Sequence, residues 1–117
     1  MSGRISRRKG HDWEREVARL YTQATGRQHA RVLTESREGN VGDVRGPSPL
    51  VTQCKVGAAP NAWKALREAI EAAGPGEHPV AVLRRNGIGR KPAVDVAVLP
   101  LKAWLEIVNL LSLHGIW

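Results

Sequence analysis

The chain has 117 residues, enough for one hydrophobic core and too few for a second domain that folds alone. Lysine and arginine number 18 against 11 acidic residues, and the net charge of +7 points to a polyanionic partner, because each phosphate neutralised releases condensed counterions. The single cysteine, Cys54, excludes an internal disulfide and a cysteine-based zinc site; the start lacks the apolar core of a secretory signal, and no apolar run approaches the ~20 residues that span a bilayer, so a cytoplasmic chain with no membrane partner is expected.

The positive charge is concentrated in two places, at Arg4, Arg7, Arg8 and Lys9 and again at Arg84, Arg85, Arg90 and Lys91, which makes nucleic acid the expected partner. Residues 1–9 read as a basic arm ahead of a helix from Gly10 to Thr25, where Trp13, Val17, Leu20, Tyr21 and Ala24 recur at helical spacing and Gly26 supplies a stop. A strand is predicted from Gln28 to Leu33, a mobile loop from Thr34 to Asn40, and a short strand from Val41 to Val44. Gly46 to Pro49 make a turn, and Leu50 to Val56 have strand character, so the two strands on either side are expected to form a hairpin.

Pro60 and Asn61 open a predicted helix through Ala73, with Trp63, Leu66, Ala69, Ile70 and Ala73 on its buried face and Gly74 at its end. Val80 to Leu83 is an apolar strand, Asn86 and Gly87 mark a turn in a basic loop, Val94 to Leu99 is a further strand, and Pro100 precedes a last helix. Strands on both sides of a crossover helix give an α/β fold with a mixed central sheet flanked by helices, in a single domain over residues 1–117. In the last helix Leu101, Trp104, Leu105, Val108 and Leu111 form one stripe, and Ala103, Ile107 and Leu110 widen the apolar arc to roughly 220°. That is more than one core face needs; either a second copy covers it or the helix is buried on two sides within its own domain.

The chemistry-bearing pattern is Asp43 beside a glycine and, ten residues later, Gln53-Cys54-Lys55 inside an apolar strand. Side chains alternate along a strand, so Gln53 and Lys55 share a face about 7 Å apart while Thr52 and Cys54 point the other way. If the preceding strand pairs with this one, Asp43 reaches the same face, and a carboxylate, an amide oxygen and an ammonium converge. Phosphodiester cleavage needs such a set: oxygen ligands hold Mg²⁺, which polarises a phosphoryl oxygen, and the ammonium orients water or offsets charge on the phosphorus. A second carboxylate must come from elsewhere, and the first helix offers Glu14 and Glu16, between which periodicity does not choose.

Arg8-Lys9-Gly10, Glu14-Arg15-Glu16, Gly42-Asp43 and Gln53-Cys54-Lys55, in this order, resemble the archaeal-type Holliday junction resolvases of the PD-(D/E)xK nuclease superfamily. In that family an Arg-Lys-Gly stretch precedes a Glu-Arg-Glu helix, an Asp-bearing strand and a Glu-Cys-Lys strand. The likeness covers residues 8–56 by motif and the remainder by element order. It implies a restriction-endonuclease-like core, Mg²⁺ with Mn²⁺ able to substitute, no small-molecule cofactor, a homodimer, and paired nicks across a four-way DNA junction. By position it implies Glu14, Asp43, Gln53 and Lys55 as the catalytic set, with Glu14, Asp43, Gln53 and the Cys54 backbone carbonyl as metal ligands.

Gln53 departs from the pattern, which has glutamate there. An amide oxygen still coordinates a hard cation but lacks the negative charge, so metal affinity falls unless Glu14 compensates. A DNA-binding protein of the same fold without catalysis is the alternative expectation, and so is a nuclease acting on other branched or duplex DNA. Arg7, Arg8, Lys9 and Arg37 flank the inferred site and are the expected phosphate contacts, which position DNA without reading sequence. Cys54 and the four tryptophans are expected in the core, and the four histidines have no metal-ligand spacing.

Overall fold

Apolar strands with parallel neighbours must be covered on both faces, and the sequence supplies helices for both. A computed structural model describes residues 3–31, 44–45, 47 and 49–115. The element order is α1 (Gly3–Thr25), β1 (Ala30–Arg31), β2 (Val44–Arg45), β3 (Leu50–Gly57), α2 (Ala62–Ala72), β4 (His78–Arg85), β5 (Val94–Val98) and α3 (Leu101–Leu113). Among the described residues the strands form one sheet in the order β1-β2-β3-β4-β5. β1 pairs with β2, and β2 with β3, antiparallel, with Val44 opposite Thr52; β3 and β4 are parallel from Leu50↔His78 to Gly57↔Arg85; β4 and β5 are antiparallel. The α/β class and the mixed sheet flanked by helices are as expected.

Alternation along β3 divides the core into two clusters. Thr52, Cys54 and Val56 turn toward α1: Cys54 and Val44 pack with Trp13, Val17 and Ala18, and the fully buried Thr52 hydroxyl meets the Tyr21 hydroxyl at 2.9 Å. Trp13 also donates from Nε1 to the Val82 carbonyl at 3.1 Å, so this large ring is satisfied as well as buried. On the opposite face Ala65 and Leu66 of α2 pack with Ala81 and Leu83 of β4, and Ala69 of the same helix is buried. Asn61 caps α2 by accepting from the Lys64 amide at 3.0 Å, which satisfies one of the orphan N–H groups at a helix start.

Several boundaries and faces differ from the expectation. α1 begins at Gly3, so the expected basic arm is mostly the first two turns of the helix; arginine and lysine are good helix formers, and a search for apolar periodicity does not see them. In α2, Trp63 and Ile70 are exposed, at 82% and 51%, and the buried stripe is Ala65, Leu66 and Ala69. The reason is that Ala65 and Leu66 carry the packing against Ala81 and Leu83, which turns the bulky Trp63 and Ile70 aside. The expected strand residues 32–33 and 41–43 and the loop Thr34 to Asn40 lie outside the described residues.

α3 sits apart from this core. Ala103 is its buried residue, and His78 Nε2 at the start of β4 lies 3.1 Å from Glu106 Oε2 of this helix. Leu101, Trp104, Leu105, Leu110 and Leu113 are all more than 40% exposed. Burial on two sides within its own domain is therefore not how this helix is accommodated. No helix among the described residues is long and apolar enough to cross a membrane.

Candidate active-site face

Gln53 and Lys55 lie on the α2 side of β3, away from Thr52 and Cys54, as strand alternation requires. Both are half-buried. Lys55 Nζ lies 3.1 Å from Glu68 Oε2 on α2, and the two side chains retain 40% and 32% exposure. The face thus carries an amide oxygen, an ammonium and a carboxylate within reach of solvent. Asp43 is outside the described residues; its neighbour Val44 pairs with Thr52, so β2 and β3 do form the antiparallel pair on which the expectation for Asp43 depended.

Glu14 and Glu16, which periodicity left equivalent, are distinguished by burial. Glu14 is 6% exposed and has an interaction partner, whereas Glu16 is half-buried and held by Arg19 one turn on. The hydrogen bond from Arg19 keeps the Glu16 carboxyl below the usual carboxylate range. Glu14 is carried by the helix that covers the Cys54 face, while Gln53 and Lys55 open onto the other face. The described structure therefore brings Gln53 and Lys55 together and leaves Glu14 across the sheet from them. Cys54 is buried in the α1 cluster, which agrees with a packing role for its side chain.

Glu68 was not found from the sequence. It stands 13 positions after Lys55 on a different element, so no local spacing marks it. At 100° per residue it falls on the flank of the Ala65–Ala69 stripe opposite Trp63 and Ile70. The usable signal was the stripe of small residues, which identifies the face of α2 that lies closest to the sheet.

Of the expected phosphate contacts, Arg8 and Lys9 are exposed on α1; Arg37 and the side chain of Arg7 lie outside the described residues. The second basic cluster is smaller than its sequence implies. Arg84 stacks over the Trp13 ring, 4.4 Å from its centroid, and donates twice to Asp95 at 2.7 and 2.8 Å, leaving Arg85, Arg90 and Lys91 exposed. The Arg84 hydrogen bonds hold the Asp95 carboxyl below its ordinary value.

A depressed folded-state pKa contributes stability above the unfolded carboxylate range near pH ~4, and that contribution is lost as pH falls through the folded value. With side chains 35% and 42% exposed, solvent screening keeps the pair below about 1 kcal/mol. Urea melts of Asp95→Asn are therefore expected to show a loss of under about 1 kcal/mol at neutral pH that closes below pH ~4. A difference that stays constant into acid contradicts the assignment.

The described residues contain no cluster of three or more His, Cys, Asp and Glu placed to hold a metal ion. The donor set on the Lys55 face is nevertheless all oxygen, from Gln53 and Glu68, which fits a hard divalent cation and not a soft one. Comparison of the chain with protein-family models, with curated proteins and with solved structures gives no match.

Proposed function

We propose that the chain is a Mg²⁺-dependent, structure-selective endodeoxyribonuclease with a restriction-endonuclease-like core that nicks four-way DNA junctions. The observation that carries this reading is the placement of Gln53 and Lys55 on one solvent-reachable face of the central strand β3, next to the antiparallel β2 that Asp43 precedes. The motif resemblance over residues 8–56 and the net charge of +7 support it.

In this reading Asp43 and Gln53 present oxygen ligands to the cation, with the Cys54 carbonyl as a further ligand that the resemblance implies; Glu14, which the resemblance also implies, is carried by α1 on the other face of the sheet. Bound Mg²⁺ supplies a Lewis acid that lowers the charge cost at the phosphoryl group. Lys55 holds its ammonium against the non-bridging oxygens and orients the water that adds to phosphorus as the P–O bond breaks. Arg7, Arg8, Lys9 and Arg37 carry the phosphate backbone, and the substrate is recognised by shape.

The partner proposed for the apolar surface is a second copy of the chain. Val94 and Val96 stand on the α2 face of β5, opposite Arg85 and Leu83 in register; they line a groove with Ala62, and on the same side of α2 lie the exposed Trp63 and Ile70. β5 pairs with β4 alone among the described residues, and α3 adds its own row of exposed leucines. A two-fold contact would cover these surfaces and bring two active sites to one junction. Sedimentation is expected to give twice the chain mass of 12.8 kDa, and a monomer after Leu105→Glu with Val96→Glu. Wild-type protein sedimenting as a monomer at micromolar concentration contradicts the dimer.

The test of the activity is a synthetic junction incubated with Mg²⁺. Paired nicks that disappear in Asp43→Asn are expected. The second reading, a DNA-binding protein without catalysis, is favoured by one observation, the uncharged Gln53. It predicts salt-sensitive junction binding with no cleavage at any Mg²⁺ or Mn²⁺ concentration.

A further inference from the structure

The Lys55 face has one chemical gap. A hard divalent cation is held by oxygen ligands whose summed negative charge sets the affinity, and Gln53 contributes an oxygen without charge. Glu14, the sequence candidate for compensation, belongs to the helix on the other side of the sheet. The carboxylate that the described structure sets on the Gln53–Lys55 face is Glu68, whose Oε2 lies 3.1 Å from Lys55 Nζ.

We propose that Glu68 is the acidic ligand of this site, supplying from α2 the negative charge that Gln53 does not supply from β3. The inference rests on the metal-dependent reading above. Three features favour it over a structural ion pair. First, the pair keeps 40% and 32% side-chain exposure, so water and ions reach it. An ion pair of that exposure adds little to stability, which leaves the fold an insufficient reason for placing a lysine in an apolar strand.

Second, α2 is fixed from both directions. Its Ala65 and Leu66 pack against Ala81 and Leu83, and Asn61 caps its start, so Glu68 is presented by a rigid helix and not by a loop. Third, the register places Gln53 beside Ala81 and Lys55 beside Leu83, the two β4 residues in contact with α2, so Glu68 approaches the polar pair along the same face. Without a cation the Lys55 ammonium neutralises Glu68. When a cation binds, Glu68 exchanges one positive partner for another, and Lys55 is released to meet a phosphate.

The test is Mn²⁺ binding by titration calorimetry, which reads the site without requiring turnover, on wild type, Glu68→Gln, Gln53→Glu with Glu68→Gln, and Asp43→Asn. Circular dichroism melts of each variant check that the fold is kept. Glu68→Gln is expected to weaken Mn²⁺ binding at least about tenfold, and the double variant to recover it by returning the carboxylate to β3. Wild-type affinity in Glu68→Gln, with binding lost in Asp43→Asn, overturns the role of Glu68 and leaves the nuclease reading standing. Wild-type protein that takes up no Mn²⁺ at millimolar concentration overturns both.

Discussion

Lys55→Ala is expected to abolish nicking, lowering the rate by about 10²- to 10³-fold, the usual consequence of removing one preorganised positive donor from a charge-developing transition state. The loss cannot be credited to unfolding, because Lys55 is 40% exposed and its pairing with Glu68 is worth about 1 kcal/mol at most. Melting temperature should therefore stay within a few degrees of wild type while cleavage disappears. Binding of junction DNA should persist, since Arg8 and Lys9 on α1, Arg85 at the end of β4 and Arg90 and Lys91 on the β4–β5 loop are untouched. The informative comparison is Lys55→Arg: guanidinium keeps the charge but not the compact geometry, so activity should be only partly restored. Full activity in Lys55→Ala would remove the lysine from the chemistry altogether.

The largest expected effect on stability lies on the opposite face. Trp13 is 3% exposed, packs with Val17, Ala18, Val44 and Cys54, donates to the Val82 carbonyl and lies under the Arg84 guanidinium. Trp13→Ala removes the ring from the α1 cluster, leaves a cavity and frees the Val82 acceptor, a cost of about 3–5 kcal/mol. Against a total stability of roughly 5–15 kcal/mol, this lowers the melting temperature by more than about 10 °C. Trp63→Ala is the control: at 82% exposure on α2 it should change monomer stability by under about 0.5 kcal/mol. Equal effects of the two substitutions would contradict the assignment of one tryptophan to the core and the other to the surface.

That contrast also marks what local sequence carries. Strands such as Leu50–Gly57 and the helix ends at Thr25 and near Ala73 were legible because alternation, glycine and proline act over a few residues. The orientation of Gln53 and Lys55 followed from the same short-range rule. The rotation of α2 did not, since it depends on the packing of Ala65 and Leu66 against Ala81 and Leu83, a contact across elements that the hydrophobicity of Trp63 and Ile70 masks.

Glu68 was hidden for the same reason: its relation to Lys55 exists only once α2 has crossed from β3 to β4. Arg84, counted by sequence among the free cations, is withdrawn from the basic cluster by Asp95 on the neighbouring strand, a pairing that register determines and composition does not show.

The central proposal is that a divalent cation on the Gln53–Lys55 face drives hydrolysis of branched DNA. It is tested most directly by incubating an end-labelled four-way junction and a linear duplex of the same arm sequence with the protein, once with Mg²⁺ and once with a chelator. Symmetric nicks confined to the junction and to the Mg²⁺ reaction are the expected result. A junction that is bound and shifted but left intact at every Mg²⁺ and Mn²⁺ concentration would contradict it.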